Sequence, residues 1–292
     1  MSSRLEGQMD NGKLRVDPDA FLSRVEFGAH QETIDHVNRK IFRAYRGTNP
    51  SNIPNDIFRL RHQIYVLECA FLQPEQYVDG LEFDDYDDAS THFAAYTLDE
   101  KLIGAVRLVQ PKAPQPYPFE LHCEVFSDYK MPEREQAAEI SRLVVKKSHR
   151  RRRADSVLGI PGFVQHNEPE AEFDPAVDRR DRTSPMLLLG MYREMFRHSE
   201  DHGIRYWYAA MERSLAHALK KMGFRFMAIG PEADYYGSVT PYVLDLHDLR
   251  RKLAASNPTL AAWFAEKAPV VEHAHPSRVH LVRKPGMGND VN

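Results

Sequence analysis

Acids and arginines recur in this chain inside segments that read as helix or strand, where charge has to be paired or used. In chain order they are Arg61-His62-Gln63-Ile64-Tyr65, Glu82-Phe83-Asp84-Asp85-Tyr86-Asp87, Gly104-Ala105-Val106-Arg107-Leu108 and Glu139-Ile140-Ser141-Arg142, followed by a basic run from Lys146 to Arg153. The acids Glu82, Asp84, Asp85, Asp87 and Asp88 have two readings from composition: a solvated acidic loop, or carboxylates held by cations. They lack the glycine at position six and the glutamate at twelve that a calcium loop requires, and no His/Cys spacing suggests zinc, so no metal is expected. The run Lys146, Lys147, His149, Arg150, Arg151, Arg152 and Arg153 offers side-chain cations to a phosphate or an acidic surface. Its bland reading is a solvated basic loop that balances the acidic segment after it. Cys69 and Cys123, the latter beside His122, are candidate nucleophiles, though a buried thiol is the commoner case.

The elements that must position these groups follow from periodicity. Caps near Ser51, Asn52, Asn55 and Asp56 open a helix on which Ile57, Leu60, Ile64 and Leu67 form an apolar face, with Arg61, Tyr65 and Glu68 beside it. Residues 91–98 and 102–110 read as a hairpin, and the four prolines of 111–118 make a loop. Residues 138–147 read as a strand; within it Glu139 and Arg142, three apart, fall on opposite faces unless a bulge re-aims one of them. A helix over 185–202, rich in Leu and Met, offers an apolar wall for a tunnel or a packed core face. Then come strand 205–211, helix 213–222, strand 224–229, strand 239–246, and helices over 246–255 and 259–267. The domains expected are an N-terminal extension over 1–50, partly flexible and with a helix in 21–45; a catalytic domain over 51–250 carrying a charged insertion at about 148–184; and a C-terminal helical extension and tail over 251–292.

At 292 residues with a net charge of −3, the chain can bury a large core, and it gives no general case for nucleic acid; no aromatics interleave with the basic run. The lack of an apolar leader or membrane-length run, and only two cysteines, lead to the expectation of a cytoplasmic protein.

Together, Arg61-x-x-x-Tyr65, Phe71, Glu82-x-Asp84-x-Tyr86-Asp87, Gly104-x-x-Arg107-Leu108 and Glu139-x-Ser141-Arg142 resemble the signature of acyl-homoserine-lactone (autoinducer) synthases, with Tyr65 and Phe71 where Phe and Trp are usual. Further on, Met211-Glu212-Arg213-Ser214-Leu215, Ile229-Gly230-Pro231 and Tyr235-Tyr236-Gly237-x-x-x-Pro241-Tyr242 are more similar to a sister group, the PEP-CTERM/exosortase system-associated acyltransferases, related to the N-acyl amino acid synthases of the GNAT superfamily. Periodicity alone supports an α/β mixed sheet. The resemblance, which covers roughly residues 50–250, implies a GNAT-like, mostly antiparallel central sheet covered by helices on both faces.

It also implies an N-acyltransferase that moves a fatty acyl group from an acyl carrier protein or coenzyme A thioester to a small amine such as an amino acid. Such a reaction needs a neutral amine, so a carboxylate of raised pKa is the expected base, and Glu82 and Glu139 are the candidates. Arg61, Tyr65, Phe71, Asp84, Asp87, Arg107, Ser141 and Arg142 are expected to bind substrate or shape its pocket. Lys146, Lys147 and Arg150 to Arg153 stand where related enzymes carry a glycine-rich phosphate turn, and are expected to dock acyl carrier protein. No tightly bound cofactor is expected, the acyl thioester being a co-substrate. The alternatives are an acyl-homoserine-lactone synthase using S-adenosylmethionine, and a non-catalytic acyl-binding module on the same fold. Leu260, Trp263 and Phe264 either dock on the body, the preferred reading, or touch a membrane surface.

Overall fold

A computed structural model of the chain describes residues 9–10, 13–14, 40–46, 53–149 and 184–265. Apart from a two-residue pairing of Met9–Asp10 with Lys13–Leu14, the described strands form one sheet. They are β1 (Ile41–Arg46), β2 (Ser90–Tyr96), β3 (Leu102–Val109), β4 (Ala137–Val145), β5 (Tyr206–Met211), β6 (Met227–Ala228), β7 (Ala233–Asp234) and β8 (Ser238–Asp245). The order is β1-β2-β3-β4-β5-β8-β6, with β7 also paired to β8, and every pairing is antiparallel except β4 with β5.

Helices cover both faces, and the alternation of side chains along the strands assigns them. Ala94, Tyr96, Ala105 and Val144 pack on Ile57, Phe58, Leu60 and Ile64 of α1 (Asn55–Arg61, continued to Glu68). Phe93, Ala95, Val106, Leu108, Leu143 and Val145 turn the other way, onto Leu187–Leu189, Met191, Tyr192, Met195 and Phe196 of α2 (Ser184–Asp201). Because both faces are covered, β2 and β3 are buried along their whole length. Helices α3 (Arg213–Lys221), α4 (Leu246–Ser256) and α5 (Pro258–Ala265) extend the α2 side. Asp245 caps α4, accepting from the backbone N–H groups of His247 and Asp248 at 2.8 and 3.4 Å.

Several expectations change. The helix placed within residues 21–45 gives way, where the structure describes it, to edge strand β1, so the sheet begins at Ile41 and the boundary at residue 50 does not separate an extension from the body. Its Phe42 ring lies where a side chain on Gly190 of α2 would sit, 2.1 Å from the position of a Cβ there. Likewise α4 and α5, assigned to a C-terminal extension, contribute Leu249, Leu253, Trp263 and Phe264 to the main core. Trp263 and Phe264 are therefore docked on the body. The helix after α1 widens into a π-helix over His62–Glu68, where Cys69 N–H bonds to Ile64 O, five residues back, at 2.8 Å. The wider turn brings Val66 inside and leaves Leu67, expected on the apolar face, exposed. Strand 224–229 shortens to β6 because Phe224 is fully buried between Tyr192 and Phe264, off the sheet. The insertion residues 150–183 lie outside the described residues.

Candidate active site

Two distortions of the sheet meet at β4. The first is in its pairing with β3: Glu139, Ile140 and Ser141 oppose Val109, Leu108 and Arg107, and Val144 and Val145 oppose Ala105 and Gly104, so Arg142 and Leu143 share the space opposite Val106. Arg142 has φ +51°, the left-handed conformation of a bulge. This resolves the conflict between Glu139 and Arg142, since the extra residue turns Arg142 back towards the acids. The second distortion is the parallel pairing of β4 with β5, which covers only Ala137↔Tyr206, Ala138↔Trp207 and Glu139↔Tyr208. Both strands continue past Glu139 without pairing to each other, and a cleft of about 110 Å³ opens between them.

Beside this cleft lies an ion network of three arginines and three carboxylates. Arg61 bonds through Nε to Glu82 Oε2 and through Nη1 and Nη2 to the two oxygens of Asp87 at 2.6 and 3.2 Å. Arg107 donates from Nη1 to Asp84 Oδ1 (2.5 Å) and Asp87 Oδ1 (2.8 Å), from Nη2 to Asp84 Oδ2 (3.1 Å) and from Nε to Ser141 Oγ (3.0 Å). Arg142 donates from Nε to Glu82 Oε1 (3.1 Å) and from Nη2 to Asp84 Oδ2 (3.0 Å). His92 Nε2 stands 3.5 Å from Asp87 Oδ1. Burial opposes ionisation of Asp87, but the guanidinium of Arg61, then that of Arg107, outweighs it and holds the carboxyl far below its ordinary range. Asp84 is held low in the same way, chiefly by Arg107 against its burial. Burial brings His92 down to about 4, so its ring is neutral at pH 7.

The structure thus brings Arg61, Glu82, Asp84, Asp87, Arg107, Ser141 and Arg142 together. Glu82 is fully buried with an arginine on each oxygen, so neither oxygen is open to a substrate. Glu139 differs from it. Its Oε2 accepts from the Phe119 backbone N–H at 3.0 Å, it lines the cleft, and it takes no ion-pair partner among the described residues. Burial pushes its pKa up to about 8, against the pull of that N–H and, more weakly, of Arg107 and Arg142. Of the network arginines, Arg142 alone keeps a guanidinium nitrogen, Nη1, without a hydrogen bond among the described residues, and Arg142 also lines the cleft.

The cleft is two-sided. One end is aromatic and polar: Tyr65, whose hydroxyl donates to Leu143 O at 3.2 Å and whose ring lies under Arg142, then Phe71, Tyr236 and Tyr235 in a chain of ring contacts of 6.2, 5.8 and 4.9 Å. The other end is apolar, made by Ile140, Leu143, Ala209, Met211, Leu215 and Tyr192 of the α2-side core. Tyr192, Leu215, Tyr235 and Tyr236 were not among the sequence candidates, although Met211 to Leu215 and Tyr235 to Gly237 belong to motifs noted above. The Phe119 N–H is a backbone group and leaves no sequence signal.

The aromatic end depends on the segment after β6. Gly230 there is so close to the Glu124 backbone that a Cβ would lie 1.9 Å from its carbonyl oxygen. Gly230→Ala is expected to cost about 1–3 kcal/mol in a thermal melt and to lower activity by shifting Tyr235 and Tyr236; an unchanged melt would show that this contact relaxes freely.

Lys146 is half-buried and Lys147 exposed, just after β4, whereas Arg150 to Arg153 lie outside the described residues. Among the described residues no group of His, Cys, Asp and Glu is arranged to hold a metal ion, and no helix is long and apolar enough to cross a membrane.

Residues 60–159, which hold the network and Glu139, match the acetyltransferase (GNAT) domain family. No curated protein is a significant match to the chain. Among solved structures, BjaI, a CoA-dependent acyl-homoserine lactone synthase, is similar at 19% identity in two complexes. With SAM and isopentyl-CoA the TM-score is 0.50, and with MTA 0.51, each covering 82% of this chain and 95% of that one. FeeM, an N-acyl amino acid synthase from uncultured soil microbes, aligns at 13% identity and TM-score 0.41 over 73% of this chain and 94% of its own. The fold is GNAT-like: a mixed, mostly antiparallel eight-stranded sheet flanked by helices.

Proposed function

We propose that this acyltransferase of GNAT-like fold moves a fatty acyl group from a pantetheine thioester, on acyl carrier protein or coenzyme A, to the amine of an amino acid. The observation that carries the reading is the pairing in one cleft of Glu139, a buried carboxylate with no ion-pair partner among the described residues, and Arg142, whose Nη1 bonds to none of them. Arg142 Nη1 suits the acceptor's carboxylate, and Glu139 the proton of its ammonium. The neutral amine then attacks the thioester carbon, the nitrogen gives up its second proton as the C–S bond breaks, and the leaving thiolate takes that proton up; Glu139 returns the first to solvent. The backbone edges left free where β4 and β5 part can hold the extended pantetheine arm by strand-like hydrogen bonds. The thioester carbon then lies between the polar and apolar ends of the cleft, with the acyl chain in the latter.

In this reading Glu82 and the other network residues shape the pocket and Glu139 is the base. Acyl carrier protein docks on Lys146, Lys147 and Arg150 to Arg153, the reaction takes place in the cytoplasm, and the resemblance of the C-terminal-half motifs to the PEP-CTERM/exosortase-associated enzymes supports a common reaction.

Incubation with acyl carrier protein and coenzyme A thioesters, mixed amino acids and S-adenosylmethionine, read by mass spectrometry, tests it. N-acyl amino acids are expected. An acyl-homoserine lactone would instead make the chain a lactone synthase, and no product from any pair would leave it a binding module. Once the acceptor is known, its decarboxylated analogue should bind the wild type at least about tenfold more weakly, and Arg142→Gln should lose that discrimination. Equal discrimination in both proteins would place the carboxylate elsewhere.

A further inference from the structure

Tyr192 is the feature of the cleft that acyl transfer does not itself call for. Ile140, Leu143, Ala209 and Met211 come from the two strands that part; Tyr192 and Leu215 come from helices lying behind them, and so floor the apolar end. The Tyr192 ring is 2% exposed and is held edge-on by Trp207 and Phe224, with ring centres 5.8 and 5.1 Å away. It cannot swing aside without disturbing both. Tyr192 lines the cleft, and its hydroxyl has no hydrogen-bond partner among the described residues. A buried phenol among apolar neighbours is tolerable only while water or a ligand supplies a partner.

We propose that Tyr192 sets the length of the acyl chain, stopping it at a short chain by ring and hydroxyl together. The proposal rests on the acyl-transfer reading of the cleft. An apolar cavity of about 150 Å³ holds a benzene ring, so the cleft, at about 110 Å³ and shared with its polar end, has room for at most about four chain carbons. A chain that reaches the ring excludes water from the hydroxyl and sets a methyl group against it, leaving the hydroxyl without a partner. That hydrogen bond is lost once, and each further methylene then meets a wall that is fixed in place. The ring thus limits the space, and the hydroxyl makes contact with an apolar chain end unfavourable.

The experiment is equilibrium binding of a ladder of straight-chain acyl-pantetheine thioesters, from acetyl to dodecanoyl, to the wild type, Tyr192→Phe and Tyr192→Leu. In the wild type, affinity should rise to about butanoyl and then fall. Tyr192→Phe should bind hexanoyl and octanoyl about tenfold more tightly than the wild type does, the scale of one lost hydrogen bond, with acetyl and butanoyl unchanged. Tyr192→Leu should move the break to longer chains still.

A wild type that prefers dodecanoyl would overturn the proposal. So would a Tyr192→Phe protein that weakens every chain alike, because the hydroxyl would then be serving a polar group of the ligand. A folded Tyr192→Leu protein with an unmoved break would do the same, and if that variant does not fold, the Phe arm decides. The ladder needs no acceptor amine: a break without amide product would sink the acyl-transfer reading and keep the length stop, and product without a break would do the reverse.

Discussion

Replacing Glu139 by glutamine is expected to lower kcat by about 10²–10⁴-fold, the range for losing a positioned general base, with little change in donor KM. The geometry predicts how pH enters. Glu139 is buried, its pKa is pushed up to about 8, and it has no ion-pair partner among the described residues. The wild-type kcat/KM should therefore climb about tenfold per pH unit below 8 and level off above it, and the glutamine variant should lose that limb. Stability should move the opposite way. A carboxyl whose folded value exceeds its ordinary 4.5 keeps more protons in the folded state, so wild-type stability falls as pH rises from about 4.5 to about 8. At roughly 1.4 kcal/mol per unit, that loss is on the order of a few kcal/mol, and glutamine cannot incur it. The variant should thus be less active and, at pH 9, more stable by denaturant titration. A variant with wild-type kcat and pH profile would remove Glu139 from proton transfer.

Arg107→Ala is expected to be the most damaging single change to the fold, at about 3–5 kcal/mol. The side chain is 1% exposed and carries four hydrogen bonds, to Asp84, Asp87 and Ser141. Its loss leaves Asp84 to Arg142 and Asp87 to Arg61, Asp87 in a buried site and Asp84 in one that is partly open to water. The pH dependence again has a defined sign. The depressed carboxyls of Asp84 and Asp87 contribute stability that is present above their ordinary value near 3.8 and disappears as the pH falls below it. Acid unfolding should consequently begin at a higher pH in the variant than in the wild type. Unfolding followed by circular dichroism at pH 7 and pH 4 gives both numbers. A loss under about 1 kcal/mol at pH 7 would mean that water enters the network and solvates the acids.

Much of this network was legible in the sequence, because arginine and acids inside a strand or helix pattern have few alternatives to pairing. The bulge at Arg142 was legible as well, as a conflict: two residues three apart in a strand cannot share a face without an extra residue between them. The period of 3.6 failed at Leu67, since a π-turn shows in the hydrogen bonds of the folded helix and leaves its composition ordinary. β1 was read as part of a helical extension because a six-residue edge strand, Ile41 to Arg46, carries three charged or polar positions and a weak alternation. Glu82 and Glu139 looked equivalent in sequence. They are told apart by long-range partners, two arginines for one and a backbone N–H from the 118–121 turn for the other. Tyr192 lies 50 residues beyond Arg142 in sequence, and its place in the cleft depends on how α2 crosses the sheet.

The parting of β4 and β5 has a consequence for how the sheet meets other molecules. Most unpaired strand edges lie at the rim of a sheet, where they invite a second copy to add on and must be guarded by charge, twist or cover. Here two edges face each other inside the molecule, with Tyr192 and Leu215 on one side and the Tyr235–Tyr236 turn on the other. A gap lined on both sides in this way suits a thin flexible arm better than the open edge of another protein's sheet. Such an arm would seal the gap from both sides, and the amide protons of residues 140–143 and 209–211 would exchange with solvent more slowly once it is in place.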